Sequence, residues 1–271
     1  MLQTPMIILP LDTYPNAEAL LAGVSKFFTD PDVNRLVSHI KLNDGVHQPD
    51  VGGPAVVMLT ASLLKELDSE AKIFLDLKIF DVSATLVNVL KKYKNEGFIP
   101  DILTVCANCS VDGILKLRRL LPETKLALVS VPTDISQEEC LARFGMTSEI
   151  KIYNDLQNIR RIYKQKIDAD ESWNLSEEPF DLIVCSAHEL DFLKRNLSND
   201  YGFIVPGIRD EWMKKPDEHQ KRTTGVRKAL EKGATYVVMG AQMREGNPLL
   251  NITPEESRAR TIAEINAASV L

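Results

Sequence analysis

The chain has 271 residues, of which 44% are hydrophobic and 26% are charged, and it carries a net charge of −6. This is the composition of an ordinary globular protein, and the mildly acidic balance argues against a nucleic-acid partner or a charged membrane surface. No apolar run approaches the ~18 residues that a membrane-spanning helix needs, so we expect no membrane partner.

Short apolar runs rich in β-branched residues alternate with stretches that have helical periodicity. The runs cover residues 6–11, 38–43, 73–78, 102–106, 126–131, 182–185, 203–205 and 236–239. Helical patterns cover 15–28, 55–67, 84–95, 111–121 and 224–231, with apolar residues at i, i+3, i+4 and i+7. The alternation is typical of a parallel sheet, and eight units in this length predict an α/β fold, a (β/α)8 TIM barrel. A doubly wound open sheet is the alternative, disfavoured because no GxGxxG follows the first run.

No linker rich in Pro, Gly or Ser divides the chain, so we expect a single catalytic domain over residues 1–271. The longest interval between predicted strands predicts a crossover helix and an inserted helical arm within about 134–180. The amino-terminal residues MLQTPMIILPLD lack a basic segment and a cleavage site, which predicts a first strand rather than a signal peptide.

Four cysteines are too few for a disulfide framework, which favours a cytoplasmic location. Cys106 and Cys109 form a CxxC pair, but no second cysteine pair or nearby histidine completes a metal site. We therefore expect no bound metal.

Charged side chains interrupt the third apolar run, FLDLKIFDVSATL. On a strand, residues two apart point to the same side, so Asp76 and Lys78 both face the mouth of the barrel. Asp81 follows in the next loop, and Lys41 and Asp12 reach the same mouth from neighbouring strands. Such an alternating set keeps its members ionised. A purely structural ion-pair network is the alternative, although buried ion pairs contribute little stability.

A lysine held between carboxylates is a positioned proton donor. A substrate that loses CO₂ leaves a carbanion, which a nearby ammonium stabilises and protonates. An aspartate facing the substrate carboxylate would repel it until CO₂ departs. Such a cluster would suit a decarboxylation.

The motif DLKxxDVxxT resembles the signature of the orotidine 5′-phosphate decarboxylase family. Further segments resemble motifs of that family in the same order along the chain: LPLD, HIKLND, VCSAHE, VPGIR, HQKR and ATYVVMG. The resemblance implies a homodimer without metal or cofactor that converts orotidine 5′-monophosphate to uridine 5′-monophosphate in pyrimidine biosynthesis.

The resemblance also implies roles for single residues of the charged set. Lys78 would protonate the nucleotide ring after decarboxylation, with Asp76 and Lys41 in the same network. Asp12 would contact the ribose. Asp81 would be contributed across the interface to the partner subunit's site.

The remaining implied roles concern substrate binding. Thr85 would reach the partner's site with Asp81, Ser130 and Thr133 would meet the base, and Gln220 would touch the phosphate. The loop VPGIR resembles the phosphate loop and contains Arg209.

The end of the eighth strand departs from the family pattern. Gly240 is followed by Ala241, where the family usually has the arginine that clamps the phosphate. Arg244, Gln242 or Arg209 could replace it, since a guanidinium is the best phosphate partner.

Two other functions fit the motifs. A sister branch, the 3-keto-L-gulonate 6-phosphate decarboxylases and hexulose-phosphate synthases, shares DxKxxD and uses magnesium. Lys41 and Thr85 favour the orotidylate branch, whereas Asp44 and Asp50 could supply metal ligands. A non-catalytic nucleotide- or phosphosugar-binding barrel is the second alternative, because the phosphate arginine is missing.

Overall fold

The computed structural model describes residues 6–12, 14–48, 50–197, 201–213 and 223–268. Within these ranges, eight parallel strands close into a barrel, each bonded to its neighbours in chain order, with the last strand beside the first. They are β1 (Ile7–Pro10), β2 (Val37–Asn43), β3 (Lys72–Ile79), β4 (Ile102–Cys106), β5 (Lys125–Val129), β6 (Leu182–Val184), β7 (Gly202–Val205) and β8 (Tyr236–Val238). Each predicted apolar run forms one strand, so the predicted TIM barrel is confirmed.

Helices surround the barrel, and at least one helix follows each strand. Those in the described ranges are α1 (Ala17–Phe28), α2 (Pro31–Leu36), α3 (Pro54–Glu66), α4 (Ser83–Asn95), α5 (Val111–Leu120), α6 (Gln137–Phe144), α7 (Ser148–Ala169), α8 (Leu190–Asn196), α9 (Val226–Glu231), α10 (Ala241–Arg244) and α11 (Pro254–Ala268). The five predicted helical stretches correspond to α1, α3, α4, α5 and α9. Among all the helices described, none combines the length and apolarity needed to cross a bilayer.

Local sequence explains where the helices begin. The side chain of Asn16 accepts a hydrogen bond from the backbone of Ala19 at the start of α1, and Ser110 and Ser136 cap α5 and α6 in the same way. Such caps satisfy backbone N–H groups that have no partner within the helix. The starts of α1, α5 and α6 are therefore specified by polar residues in the loops before them.

The core has two parts. The larger part lies between strands and helices, and it includes the outward-facing strand residues such as Leu9 and Leu42. A separate cluster fills the barrel interior, with one residue from each of six strands: Ile8, Phe74, Ile102, Ala127, Leu182 and Ile204. The interior of the barrel is thus a packed core, and its carboxyl-terminal end forms the floor of a candidate site.

The interval 134–180 contains α6 and α7. Ile152, Leu156, Ile159 and Tyr163 are buried along one face of α7, at spacings of three and four residues. This helix packs against α5, α6 and α8. The stretch predicted as an inserted arm therefore contributes a helix to the outer layer of the barrel.

Candidate active site

The charged segment of β3 departs from regular sheet geometry. Leu75 pairs with Leu103 of β4, but the next pair joins Ile79 to Val105, so β3 advances four residues while β4 advances two. Within this bulge, Lys78 has a φ of 45°, a left-handed conformation that costs a residue other than glycine about 1–3 kcal/mol. Bulges of this kind re-aim side chains beside active sites.

Four charged groups form one network beside this bulge. Lys78 Nζ lies 2.7 Å from Asp76 Oδ2, and Lys41 Nζ lies 3.0 Å from the same oxygen. Lys41 Nζ also lies 2.5 Å from Asp12 Oδ2. Acids and lysines therefore alternate from Asp12 to Lys78 across three strands.

The two lysines differ in exposure. The side chain of Lys41 is 11% exposed, whereas that of Lys78 is 54% exposed. Burial acts to lower the pKa of Lys41, but the Asp76 and Asp12 carboxylates outweigh it and raise that pKa above its usual value. Lys41 is thus a fixed buried cation, and Lys78 is the ammonium that a ligand can reach.

Asp12 has one oxygen without a partner. Burial raises the pKa of Asp12, and Lys41 opposes that rise. Its Oδ1 is buried and makes no hydrogen bond within the described part of the chain. Leaving a buried acceptor unpaired costs about 1–3 kcal/mol, so a ligand hydroxyl at this oxygen would be stabilising.

A cavity of about 240 Å³ opens at the carboxyl ends of the strands. Lys41, Asp76 and Lys78 form its charged side. The other lining residues are mostly apolar: Phe74, Val129, Val131, Pro132, Thr133, Asp134, Val184, Ile204, Pro206 and Val238. Apolar walls exclude water and so strengthen the electrostatic effect of the charged groups.

The two residues predicted to meet a base are placed differently. Thr133 lines the cavity. Ser130 instead donates a hydrogen bond to Asp155 Oδ2 of α7 at 2.6 Å, while Val129 and Val131 on either side of it face the cavity. The structure therefore does not bring Ser130 to the cavity wall.

Asp81 and Thr85 lie outside the cavity of their own chain. Asp81 is exposed, and its Oδ1 accepts a hydrogen bond from the backbone of Val82 at 2.6 Å. Phe80 and Val82 on either side are 65% and 67% exposed. Thr85 is half-buried in the first turn of α4. Asp81 therefore lies in an exposed loop between two exposed apolar side chains.

Gln242 is fully buried and occupied by protein partners. Its Nε2 donates to Asp210 Oδ2 at 2.5 Å and to Thr261 Oγ1 at 2.8 Å, and its Oε1 accepts from the backbone N–H of Asp210 at 3.2 Å. Burial raises the pKa of Asp210. Gln242 therefore ties the loop after β7 to α11, and its side chain has no group left for a phosphate.

Arg244 is the last residue of α10, the short helix that follows β8. Its Nη2 would lie 3.3 Å from a Cβ placed on Gly240, the residue that precedes α10. Its one ion pair in the described residues is a long contact of 3.8 Å to Glu245, and its Nε is buried without a hydrogen bond there. Arg209 is half-buried after β7, and its backbone N–H donates to Thr224 O at 2.9 Å. Gln220 lies outside the described residues.

Sequence reasoning missed Thr104, which is fully buried in the middle of β4. Its Oγ1 accepts a hydrogen bond from the backbone N–H of Lys78 at 2.8 Å and donates to Asp76 Oδ1 at 3.1 Å. In the sequence, the one feature that could have indicated it is a single hydroxyl residue in the otherwise apolar run ILTVC, two residues before Cys106.

The opposite end of the barrel holds a second polar cluster, beside a cavity of about 590 Å³. Asp101 Oδ2 lies 2.9 Å from His39 Nε2, and Lys72 Nζ donates to Asp101 Oδ1 at 2.8 Å. The hydrogen bond from His39, followed by that from Lys72, holds the pKa of Asp101 well below its usual range. Polar clusters at the amino-terminal face of such barrels serve stability.

Within the described ranges, no group of three or more His, Cys, Asp or Glu side chains is arranged to hold a metal ion. Cys106 and Cys109 are free thiols.

Comparison with solved structures agrees with the fold. Two solved structures share the fold: the orotidine 5′-phosphate decarboxylase from Lactobacillus acidophilus has a TM-score of 0.66 at 21% identity, covering 97% of this chain and 100% of that one. The enzyme of that name from Pyrococcus horikoshii OT3 has a TM-score of 0.59 at 17% identity, covering 96% and 99%.

Sequence relatives extend the comparison. The orotidine 5′-phosphate decarboxylase of Shewanella sediminis is 26% identical over 209 residues, covering 75% of this chain and 82% of the relative. That of Lactococcus lactis subsp. cremoris (strain MG1363) is 29% identical over 196 residues, covering 69% and 73%. Residues 40–248 match the sequence profile of the family described as orotidine 5′-phosphate decarboxylase / HUMPS. The chain therefore belongs to the orotidine 5′-phosphate decarboxylase / HUMPS family.

Proposed function

We propose that this protein is a carboxy-lyase that converts orotidine 5′-monophosphate to uridine 5′-monophosphate in pyrimidine biosynthesis. One observation carries the proposal: an accessible ammonium, Lys78, is paired with Asp76 beside an apolar cavity at the active end of the barrel. Family membership and the activity for which the relatives are named support the same reaction.

The pair explains how the reaction would proceed. The substrate carboxylate would lie against Asp76, and their repulsion would end as CO₂ leaves. The carbanion left on the ring carbon would be stabilised by the Lys78 ammonium and would take a proton from its Nζ. Because the Lys78 side chain is half-exposed, solvent can return that proton.

Lys41 and Asp12 complete the network. Buried Lys41 supplies the positive charge that allows Asp12 and Asp76 to remain ionised side by side. The unpaired Oδ1 of Asp12 is suited to accept a hydrogen bond from a ribose hydroxyl. Lys41 would thus hold the charged network together, and Asp12 would position the substrate through its ribose.

We place phosphate binding in the segments that follow β7 and β8. We assign the phosphate to Arg244 beside Gly240, with Arg209 and Gln220 as further contacts, because Arg244 lacks a close ion pair among the described residues. Loops after the seventh and eighth strands are a frequent phosphate site in this fold. Thr133 at the cavity wall would contact the base.

A steady-state assay of orotidine monophosphate absorbance tests the reaction. We expect turnover that EDTA does not reduce, and we expect Lys78→Ala to lower kcat by several orders of magnitude while circular dichroism is unchanged. Lys72→Ala is the matched control, since it removes the other lysine of β3, which lies at the far end of the strand.

Other outcomes identify the alternatives. If Lys78→Ala kept more than a tenth of wild-type activity, the proton-donor role would fail. EDTA-sensitive conversion of a sugar-acid phosphate would assign the protein to the magnesium-dependent branch. Binding of the nucleotide without turnover would indicate a non-catalytic barrel.

We also propose a homodimer in which Asp81 and Thr85 enter the partner's site. The exposed Phe80 and Val82 beside Asp81 support it, since paired subunits would cover them. The four free cysteines support a reducing, cytoplasmic location.

Complementation tests the shared site. Lys78→Ala and Asp81→Asn subunits, each inactive alone, would be co-expressed with different tags. If Asp81 acts across the interface, each mixed dimer has one intact site, so random pairing restores about a quarter of wild-type activity. Co-expressed Lys78→Ala subunits under both tags are the control, and no recovery in the mixed sample would mean that Asp81 is not shared.

A further inference from the structure

We propose that Thr104 is a positioning residue of the active site, and that its hydroxyl holds the β3 bulge in the shape that pairs Lys78 with Asp76. The inference rests on the proposed function, because it concerns the same catalytic pair. Thr104 is fully buried and does not line the cavity among the residues described there, so it would act through its neighbours.

The position of Thr104 in the sheet is the first argument. Its neighbours Leu103 and Val105 are the two β4 residues that pair with Leu75 and Ile79, on either side of the bulge. The regular ladder is interrupted between those pairs, so the backbone N–H of Lys78 needs another acceptor. Thr104 Oγ1 is that acceptor, at 2.8 Å.

The second argument is that the Thr104 hydroxyl has a single proton, which sets the direction of both of its hydrogen bonds. An N–H group can only donate, so Oγ1 must accept from Lys78 and its own proton is available for Asp76 Oδ1, 3.1 Å away. Asp76 Oδ2 is then the oxygen that meets the ammonium groups of Lys78 and Lys41, at 2.7 and 3.0 Å. One hydroxyl therefore fixes both the backbone at Lys78 and the rotation of the Asp76 carboxylate.

Strain at Lys78 makes this support necessary. A lysine at φ 45° remains in that conformation only where its surroundings hold it. Without the hydroxyl, the backbone N–H of Lys78 loses its acceptor and Asp76 Oδ1 loses its donor. We expect the bulge to relax and the Lys78 ammonium to move from its position beside Asp76.

The test compares Thr104→Val with Thr104→Ser. Valine keeps the shape and removes the hydroxyl, whereas serine keeps the hydroxyl. Displacing a catalytic group by about 1 Å costs about 100-fold in rate, so we expect Thr104→Val to lower kcat about 100-fold. Its KM should change less than about threefold, because the substrate is held mainly by other contacts. Thr104→Ser should keep kcat within about fivefold of wild type.

A matched control separates positioning from general loss of a buried hydroxyl. Thr60 is also fully buried, and its Oγ1 donates to Val56 O within α3. Thr60→Val should leave kcat unchanged. Equal falls in kcat for Thr60→Val and Thr104→Val would overturn the proposal.

Two further experiments cover the cases in which Thr104→Val does not fold or the wild type has no activity. If Thr104→Val does not fold, Thr104→Ala and Thr104→Ser are compared, since they differ only in the hydroxyl, and equal kcat values would overturn the proposal. If the wild type does not decarboxylate orotidine monophosphate, the proposed function fails by itself. Crystal structures then test the positioning role alone: we expect Thr104→Val to lose the 2.7 Å contact between Lys78 and Asp76, and an unchanged contact would refute it.

Discussion

Lys41→Met tests whether burial determines the strength of the charged network. Methionine keeps the apolar length of the side chain and removes the ammonium. In the wild type that ammonium lies 2.5 Å from Asp12 and 3.0 Å from Asp76, and the Lys41 side chain is 11% exposed. The substitution leaves two neighbouring carboxylates without their shared cation.

The magnitude follows from these distances. At an effective dielectric constant of about 20, two unit charges at the 3.0 Å separation of Lys41 and Asp76 attract each other by about 5–6 kcal/mol. Desolvation offsets part of this in the intact network, and removing one partner of a buried pair costs about 3–5 kcal/mol. We therefore expect Lys41→Met to lower the free energy of unfolding by about 3–5 kcal/mol at pH 7.5.

Lys72→Met is the matched control. Lys72 Nζ lies 2.8 Å from Asp101, a similar distance, but its side chain is 61% exposed. Exposed pairs contribute about 0–1 kcal/mol. Urea unfolding of both variants at pH 7.5 measures the difference, and equal losses of stability would refute the argument from burial.

The pH dependence gives a second measurement on the same protein. Burial already raises the pKa of Asp12, and removal of Lys41 takes away the cation that opposes this rise. An acid whose pKa is higher in the folded than in the unfolded chain binds more protons when folded, so acidification stabilises the folded variant. The stability gap between wild type and Lys41→Met should therefore narrow from pH 7.5 toward pH 5.5, and a gap that widens would contradict the assignment.

Two further predictions concern the two ends of the barrel. Arg244→Ala should raise KM about 10- to 100-fold, since a hydrogen bond to a charged group contributes about 1.5–3 kcal/mol. Unchanged kinetics would mean that Arg209 or backbone amides, rather than Arg244, bind the phosphate. Asp101→Asn should lower stability by about 1.5–3 kcal/mol at pH 7 and leave kcat unchanged, because its hydrogen bonds from His39 and Lys72 lie at the opposite end. Because the folded-state pKa of Asp101 is lowered, this loss is present above the unfolded pKa of about 3.9 and disappears as the pH falls further. Urea unfolding at pH 7 and pH 2.5 measures it, and an equal loss at both pH values would contradict the assignment.

The strands were predictable because most of them are short, mainly apolar runs that are buried on both faces. The helices that the sequence pattern missed are of two kinds. The helices α2, α8 and α10 have four to seven residues, which leaves little periodic signal. Helix α9 is equally short, but it lies in a longer periodic stretch, 224–231. The long helix α11 buries Ser257, Arg258 and Thr261 along with Ile265, so its buried face is polar and the apolar periodicity is absent.

The placement of the site residues depended on different information. The family resemblance predicted that Ser130 meets the base with Thr133, but Ser130 turns to Asp155 of α7, whereas Val129 and Val131 line the cavity. Alternation could have separated Ser130 from these valines only with one fact that the sequence withholds, namely which of the two sets faces inward. Gln242 had no such signal, since its burial comes from contacts with Asp210 and Thr261, which are distant in sequence.

The bulge in β3 shows most clearly where sequence reasoning stops. Strand alternation alone predicts that Asp76 and Lys78 share a side, and the 2.7 Å contact between them agrees. A regular strand, however, would have an unbroken ladder of backbone hydrogen bonds to β4. The N–H of Lys78 would then not need the Thr104 hydroxyl as its acceptor. The register shift arises only when β3 pairs with β4, so it is a property of two segments together. A residue such as Thr104, whose importance lies in a neighbouring strand's irregularity, can be recognised only after that pairing is known.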